Sequence, residues 1–342
     1  MNTPCVMFIR PQTVAAVSVP TPVPDADQVL VTSCVSGISA GTEMLVYHGR
    51  FPDGMRMDAT IPALSSRFAY PLQYGYSCVG RIIATGAKVD PELTGRNVFA
   101  FHPHQGCFAV RPEELIQLPK TLALDDAVFF SSMETALTLV LDGRPLIGER
   151  VMVFGLGMIG LLATALLVQF PLAHLACVDS IQCRREVAER LGAHHVMSDH
   201  EVQNTHDDRK TTGAVLAPLG FDLIYELSGN PHALNSALTL SGFNTRIVIG
   251  SWYGEKPVPL DLGGMFHRNR IQLISSQVST IAPGLTGRWS RKRRTQTVLH
   301  WLKTLRPSQW ITHRYPVTRA REAYARIATK PESTLQVVLE YP

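Results

Sequence analysis

The sequence predicts an α/β chain organised around a doubly wound parallel sheet, with a second, β-rich unit beside it in the chain. Three observations predict this. Residues 151–167, VMVFGLGMIGLLATALL, run from four apolar residues through a glycine turn into a long apolar stretch. The next apolar run ends in an acid, Asp179, nineteen residues beyond Gly160. From there to about residue 285, short apolar runs alternate with helical patterns, as in a parallel sheet with crossover helices.

The glycine turn comes first in the argument. Residues 151–154 suit a buried strand and residues 161–168 a buried helix. Gly155, Gly157 and Gly160 stand between them as G-x-G-x-x-G. The first glycine permits a tight turn, the second lets backbone approach a pyrophosphate, and the third lets the helix pack close on the strand. The helix start, at Met158 and Ile159, offers free N–H groups and a positive dipole end to phosphates. Residues 175–178 form the second strand. Asp179 follows it at about the 20-residue distance where an acid binds the hydroxyls of an adenosine ribose. The cofactor expected is therefore NAD, because a carboxylate there repels the 2′-phosphate of NADP. Arg184 beside Arg185 leaves NADP as the alternative. Ser228, Gly229 and Asn230 follow one later strand, and Gly250, Ser251 and Trp252 the next. Loops at the carboxyl ends of parallel strands line the ligand crevice.

Composition bounds the rest. The 342 residues are 45% hydrophobic and 18% charged, enough for two domains with packed cores. The net charge of +4 is too mild to argue for nucleic acid. The densest basic run, at residues 288–294, reads either as a solvated helix start or as a polyanion site. Six cysteines form no C-x-x-C pair. With no signal peptide in view, the expectation is reduced thiols and a cytoplasmic protein. The apolar stretch 158–176 is interrupted by Gln169, Pro171 and His174, so a buried helix and a turn are expected, not a membrane span.

In chain order, residues 1–130 are β-rich. Strands are predicted at 28–35, 78–83 and 97–101. Frequent Pro and Gly with no sustained helical period point to a small barrel or sandwich. Residues 53–67, polar and Met-rich, read as a loop. A helix is predicted over 124–141, with Asp125 and Asp126 early, where its dipole favours them. Helices follow at 184–191 and 232–240, with strands at 221–227, 246–250 and 270–276. The tail holds helices at 295–305 and 320–328 and a closing strand at 335–339.

Motifs along nearly the whole chain carry a resemblance: VTSCVSGISAGTE (31–43), YPLQYGYSCVGRI (70–82), GRNVFAF (95–101), VMVFGLGMIG (151–160), RLGAHHV (190–196), YELSGNP (225–231), SGFNTRIVIGSW (241–252) and ITHRYP (311–316). Together they resemble the medium-chain dehydrogenase/reductase superfamily. The resemblance implies a GroES-like β-barrel domain from residues 1–132 and 286–342, and a Rossmann domain from 133–285. It also implies a basic residue beside the adenosine at Arg184, and a homodimer through strands of the Rossmann domain, 246–250 and 270–276. SGISAGTE, YGY and ITHRYP are most similar to the bacteriochlorophyllide a dehydrogenase group, which oxidises a hydroxyethyl side chain on a large ring system. The 53–67 segment and FHPHQ (101–105) depart from that group.

Zinc-using relatives place a Cys, a His, and a Cys or Glu where this chain carries Ser39, Tyr76 and Ser131. Neutral hydroxyls are poor zinc ligands, so no metal is predicted there. The competing set is His102, His104 and Cys107, whose H-x-H-x-x-C spacing suits a loop zinc. Without zinc another group must polarise the reacting oxygen. Tyr76 is the first candidate, as a phenol donating to a developing alkoxide; the alternative is a barrel tyrosine with its hydroxyl at the surface. Glu43, four residues after Ser39, either tunes a partner by charge or caps the helix beginning nearby. His102 and His104 are candidate proton relays. Glu134 faces a nicotinamide or forms a structural ion pair. The function expected is NAD(H)-dependent hydride transfer on a small-molecule secondary alcohol or ketone. The rivals are reduction of an activated C=C bond and dinucleotide binding without catalysis.

Overall fold

The computed structural model describes residues 1–52, 54–202 and 219–342. They form two units, Met1–Ser131 with Gln296–Pro342, and Ser132–Thr295. The return to the first unit falls at 296, where the sequence reading placed it at 286.

In the first unit, β1 (Asn2–Arg10) and β2 (Thr13–Pro20) pair as an antiparallel hairpin that the sequence reading missed. Then come β3 (Val29–Ile38), α1 (Thr42–His48), β4 (Cys78–Thr85), β5 (Asn97–Ala100), β6 (Cys107–Val110) and β7 (Leu115–Gln117). Alternate residues of these strands face inward, as a pleated ladder requires. Val29, Val31, Cys78, Ile82, Val98, Ala100, Phe108 and Val110 form one buried cluster. Strand β3 is shared along one side: residues 29–32 pair with β6 and residues 35–38 with the last strand of the chain. Its other side pairs with β4. The 53–67 segment holds no long element. Its flanks meet where Phe51 stacks on Phe68 at 4.3 Å, and Met57 N–H donates to the Ser66 carbonyl at 2.9 Å. Asp53 lies outside the described residues.

The single helix predicted over 124–141 is two, α2 (Leu124–Ala127) and α3 (Phe130–Gly143). The reason is local. The Val128 carbonyl accepts the Ser77 hydroxyl at 2.5 Å, and the Phe129 N–H turns back to Asp126. The i→i−4 ladder is interrupted there.

The second unit contains β8 (Arg150–Phe154), α4 (Met158–Leu167), β9 (His174–Val178), α5 (Gln182–Leu191), β10 (His195–Met197), β11 (Phe221–Glu226), α6 (Pro231–Leu240), β12 (Ser241–Ile249) and β13 (Gln272–Ser275). Among the described residues its six strands run in the order β10-β9-β8-β11-β12-β13, all parallel. This is the doubly wound order, with the chain reversing direction across the sheet between β8 and β11. The strands read as unbroken apolar runs because helices cover both faces of such sheets. Val151, Met152, Val153, Leu223, Ile224 and Tyr225 have no exposed surface. The two strands expected to serve a dimer are not equivalent. β12 has a neighbour on each side, and only β13 is an outer edge.

The tail supplies α7 (Arg291–Leu305), β14 (Ile311–Pro316), α8 (Ala320–Thr329) and β15 (Gln336–Glu340). Strands β14 and β15 complete the first unit's seven-stranded sheet, in the order β14-β15-β3-β4-β5-β7 with β6 paired to β3 off that path. All six cysteines are free thiols. Among the described residues no helix is long and apolar enough to cross a membrane.

Candidate active site

The glycine turn stands between β8 and α4. Gly155 takes φ +90, which disfavours any residue with a Cβ. A Cβ there would also meet the Ser228 backbone at 2.5 Å. The turn after β8 and the turn after β11 are thus back to back at the point where the strand order reverses. Gly160 has its Cβ position filled by the Gly155 carbonyl, while Gly157 opens on free space. Met158 and Ile159, in the first turn of α4, are partly exposed.

Asp179 is tied to this turn. Its Oδ2 accepts the Leu156 N–H at 2.7 Å and its Oδ1 the Ile181 N–H at 2.8 Å. Arg184 Nη1 lies 3.6 Å from Oδ2. Only 6% of Asp179 is exposed. A carboxylate has about four acceptor positions, so two backbone bonds leave capacity for a ligand. Arg185 is turned elsewhere, donating to the carbonyls of Asp179 and Ser180.

The loops after β11 and β12 are bound to each other. The Gly229 N–H donates to Ser251 Oγ at 2.9 Å, and Lys256 Nζ donates to the Gly229 carbonyl at 2.7 Å. The organiser is Glu226, which the sequence reading missed although it is an acid at the end of an apolar strand. Glu226 has no exposed surface. Its Oε1 accepts the Ser228 N–H at 2.8 Å and the Ser228 hydroxyl at 2.5 Å, and its Oε2 accepts the Tyr253 hydroxyl at 2.5 Å. Burial, reinforced by this carboxylate, holds the Tyr253 phenol above its ordinary range, so Tyr253 is a donor. Gly250 also packs tightly: a Cβ there would meet Leu139 and Leu227 side chains at 2.6 Å. Trp252 is partly exposed. The structure therefore brings Gly155, Gly157, Gly160, Asp179, Arg184, Ser228, Gly229, Gly250 and Ser251 to the carboxyl edge of one sheet.

In the first unit the expected catalytic residues fall into two groups. Tyr76 and Ser39 are partly exposed, and the Tyr76 hydroxyl donates to Ser39 Oγ at 2.7 Å. Glu43 and His104 have no exposed surface. The expectation that His104 relays protons is therefore revised, and both are positioning residues, Glu43 in the charge-tuning and turn-closing roles weighed for it. Glu43 Oε1 accepts the Ser39 N–H at 2.8 Å, and the Glu43 N–H donates to the Ser39 carbonyl at 3.0 Å. The carboxylate thus closes the turn that enters α1. Its Oε2 meets His104 Nε2 at 3.0 Å and accepts the Tyr324 hydroxyl. His104 Nδ1 lies 2.7 Å from Ser36 Oγ, which is 2.9 Å from the Tyr341 hydroxyl. One assignment uses every donor: Tyr341 to Ser36, Ser36 to Nδ1, and Nε2–H to Glu43. A buried carboxylate needs such partners. Tyr324 and Tyr341, from the tail, gave no signal in the sequence. Burial lifts the Tyr324 phenol well above its ordinary value, and Glu43 adds to this. Burial likewise raises the Tyr76 phenol, again with Glu43 second.

His102 is separate from His104. Its ring stacks on Phe108 at 4.0 Å, and its Nδ1 lies 2.9 Å from the Pro103 carbonyl. Burial pushes its pKa down to about 4, so it is neutral near pH 7 and poorly suited to relay protons. Cys107 Sγ contacts Thr32 Oγ1 at 3.8 Å. His102, His104 and Cys107 thus face different partners. No group of three or more metal-ligating side chains occurs among the described residues. Ser131, the third position compared with zinc ligands, is buried. Glu134 takes the ion-pair role, with Arg294 Nη2 at 2.9 Å.

Gly75 makes room for the buried cluster. It has φ +109, and a Cβ there would come within 2.6 Å of His104 Cδ2 and Nε2. Gly75→Ala is expected to cost roughly 3 kcal/mol by overpacking and backbone strain. Denaturant unfolding measures this, and a loss within experimental error would contradict it. His102 sets a pH dependence. Its folded-state pKa lies below the unfolded value of about 6.5, so the unfolded chain binds more protons between these values. Stability is then highest above pH 6.5 and falls as pH drops towards 4, by on the order of 3 kcal/mol from this group. His102→Gln should flatten that slope in unfolding measured from pH 4 to 7. An unchanged slope would contradict the assignment.

With this geometry in hand, the chain can be set beside known proteins. The zinc-binding dehydrogenase family matches residues 158–299. D-guloside 3-dehydrogenase from Shigella flexneri is 27% identical over 275 residues, covering 79% of this chain and 75% of its own length. Two solved structures share the fold. An alcohol dehydrogenase from E. coli CFT073 complexed with NADH has a TM-score of 0.79 at 18% identity, covering 99% of both chains. A 2R,3R-butanediol dehydrogenase from Bacillus subtilis has a TM-score of 0.81 at 17% identity, also covering 99% of both. Over residues 158–299 the chain is thus similar to the zinc-binding dehydrogenases, and over 99% of its length it shares the fold of these two solved dehydrogenases.

Proposed function

We propose that the chain is an NAD(H)-dependent oxidoreductase that moves a hydride between nicotinamide and a ring-borne secondary alcohol or its ketone, without catalytic zinc. The observation that carries this reading is the Tyr76–Ser39 hydroxyl pair. It stands at two of the positions where the resemblance sets zinc ligands. A zinc ion does not suit these residues: hydroxyls are weak ligands beside thiolate, imidazole and carboxylate, and Ser39 Oγ already accepts the Tyr76 hydroxyl.

A dinucleotide does suit the second unit. The free N–H groups at the start of α4, around Met158 and Ile159, would hold the pyrophosphate against the open face of Gly157. Asp179, with Arg184 beside it, would hold the ribose hydroxyls and disfavour a 2′-phosphate, which selects NAD over NADP. Ser228, Gly229, Gly250, Ser251 and Trp252 would line the rest of the crevice. A bound nicotinamide supplies or accepts the hydride.

The remaining chemistry belongs to the hydroxyl pair. At rest Tyr76 is a neutral phenol and donates to Ser39. Accepting that bond strengthens the Ser39 O–H as a donor, aimed at a substrate oxygen where negative charge develops. In ketone reduction Ser39 gives the proton that completes the alcohol, Tyr76 replaces it, and solvent water returns a proton to the partly exposed Tyr76 phenolate. In oxidation the same protons move the other way. Glu43 holds the Ser39 turn in place. The relative named for a guloside supports a ring-borne hydroxyl. A homodimer through the outer edge at β13 and a cytoplasmic setting complete the reading.

Tyr76→Phe and Ser39→Ala should each lower kcat by about 100-fold or more, with NADH affinity unchanged. Purified protein should hold substoichiometric zinc and keep its activity in a chelator. Stoichiometric zinc with activity lost to the chelator would overturn the metal-free chemistry. Reduction of an enone C=C but of no carbonyl, or NADH binding without turnover on any alcohol or ketone, would overturn the reaction.

A further inference from the structure

Glu226 carries its charge to the end of the sheet where a nicotinamide would lie. It is the last residue of β11, in register with Phe154 at the end of β8. In the strand order, β9 lies on one side of β8, while β11 and β12 lie on the other. A dinucleotide with its adenosine at Asp179 and its pyrophosphate at the glycine turn would therefore lay its nicotinamide half over the ends of β11 and β12. Glu226 stands at that end. Its carbonyl accepts the Gly250 N–H at 3.0 Å and the Ser251 hydroxyl at 3.3 Å, so its backbone is also fixed to the loop after β12.

The charge is sealed, and the groups bonded to it do not balance it. Glu226 has no exposed surface. Its side chain accepts from the Ser228 N–H, the Ser228 hydroxyl and the Tyr253 hydroxyl, and these donors are all neutral. A side chain that accepts these bonds and donates none is a carboxylate. Asp179 differs, since the Arg184 guanidinium lies 3.6 Å from it. Lys256, in the loop after β12, directs its Nζ to the Gly229 carbonyl at 2.7 Å and is partly exposed. Water and salt screen such a cation, whereas a sealed carboxylate is screened far less.

We propose that Glu226 tunes the nicotinamide couple by charge, favouring the oxidised, positively charged ring over the reduced, neutral one. Bound NADH is then a stronger hydride donor, which biases the reaction towards ketone reduction. The reason is electrostatic. A nearby opposite charge stabilises a cation, and a neutral ring gains little from it. Coulomb attraction across about 10 Å at an effective dielectric of about 20 is worth on the order of tenfold in affinity. For a two-electron couple a tenfold change is about 30 mV. Sealed behind Ser228 and Tyr253, Glu226 acts through space and is a positioning residue, not a catalytic one. The inference rests on the nicotinamide cofactor proposed above and is independent of the Tyr76–Ser39 pair.

The test is equilibrium titration of the full chain with NAD+ and with NADH at neutral pH, reading the ratio of the two dissociation constants. The unaltered protein should bind NAD+ at least as tightly as NADH. Glu226→Gln keeps the shape and removes the charge, and should weaken NAD+ about tenfold relative to NADH. Glu226→Asp keeps the charge, and should hold the ratio within about threefold of the unaltered protein even where both affinities fall. A purely structural clip would lower both affinities together and leave the ratio unmoved in Glu226→Gln. Three results would overturn the inference and leave the cofactor assignment standing: NADH bound about tenfold more tightly than NAD+ by the unaltered protein, equal losses for the two nucleotides in Glu226→Gln, or the same shift of ratio in both variants. Binding of neither nucleotide by the unaltered protein would overturn the cofactor assignment and the inference with it.

Discussion

The second unit is organised by one carboxylate. Asp179 directly follows β9 and accepts the N–H of Leu156 in the middle of the glycine turn after β8. That bond fixes the turn against the neighbouring strand. Gly155 can then lie flush with the Ser228 backbone, which in turn is fixed by Glu226. Two acids, on the second and fourth strands of the doubly wound order, thus shape the whole carboxyl edge. Each is nearly sealed from solvent; Asp179 accepts two backbone N–H groups, and Glu226 one backbone N–H and two hydroxyls. A buried charge is costly when left unpaired and contributes order when its bonds are complete.

The first unit uses the same device. Glu43 is buried and accepts from Ser39, His104 and Tyr324. Its donors come from the turn after β3, the loop before β6 and helix α8, so one side chain joins three distant stretches of sequence. The pair nearest solvent, Tyr76 and Ser39, rests on this cluster without belonging to its sealed part. A rigid buried network beneath two reachable hydroxyls is the arrangement that preorganised hydrogen-bond donors require. In the function proposed above, hydroxyls at the positions of metal ligands would shift the burden of polarising an oxygen from one cation to a directed hydrogen-bond chain.

Much of the second unit was legible because its signals are local. The strand, the three glycines and the acid at Asp179 follow one another within thirty residues, and each has a distinct mechanical reason. The first unit was less legible. The hairpin β1–β2 carries little Gly or Asn at its turn, where Gln12 takes φ 60, so no turn residue announced it. The break at Val128 depends on the Ser77 hydroxyl, a residue 51 positions away. The roles of Glu43 and His104 depend on Tyr324 and Tyr341, which only the return of the tail brings near. Spacing alone grouped His102 with His104, but adjacent loop residues can face opposite partners, and Pro103 between them separates their environments. At Ser39 and Tyr76 the residue types were legible in the sequence, but the 2.7 Å bond that pairs their hydroxyls, across 37 positions, was not.

The central claim is that the glycine turn and Asp179 together hold an adenine dinucleotide. Thermal unfolding of the purified protein with and without NADH tests it most directly. A ligand that binds only the folded state at a hundredfold excess over its Kd adds about 2.7 kcal/mol. The account predicts a melting temperature several degrees higher with NADH, and a smaller rise with NADPH at the same concentration. A melting temperature that neither nucleotide moves would contradict it.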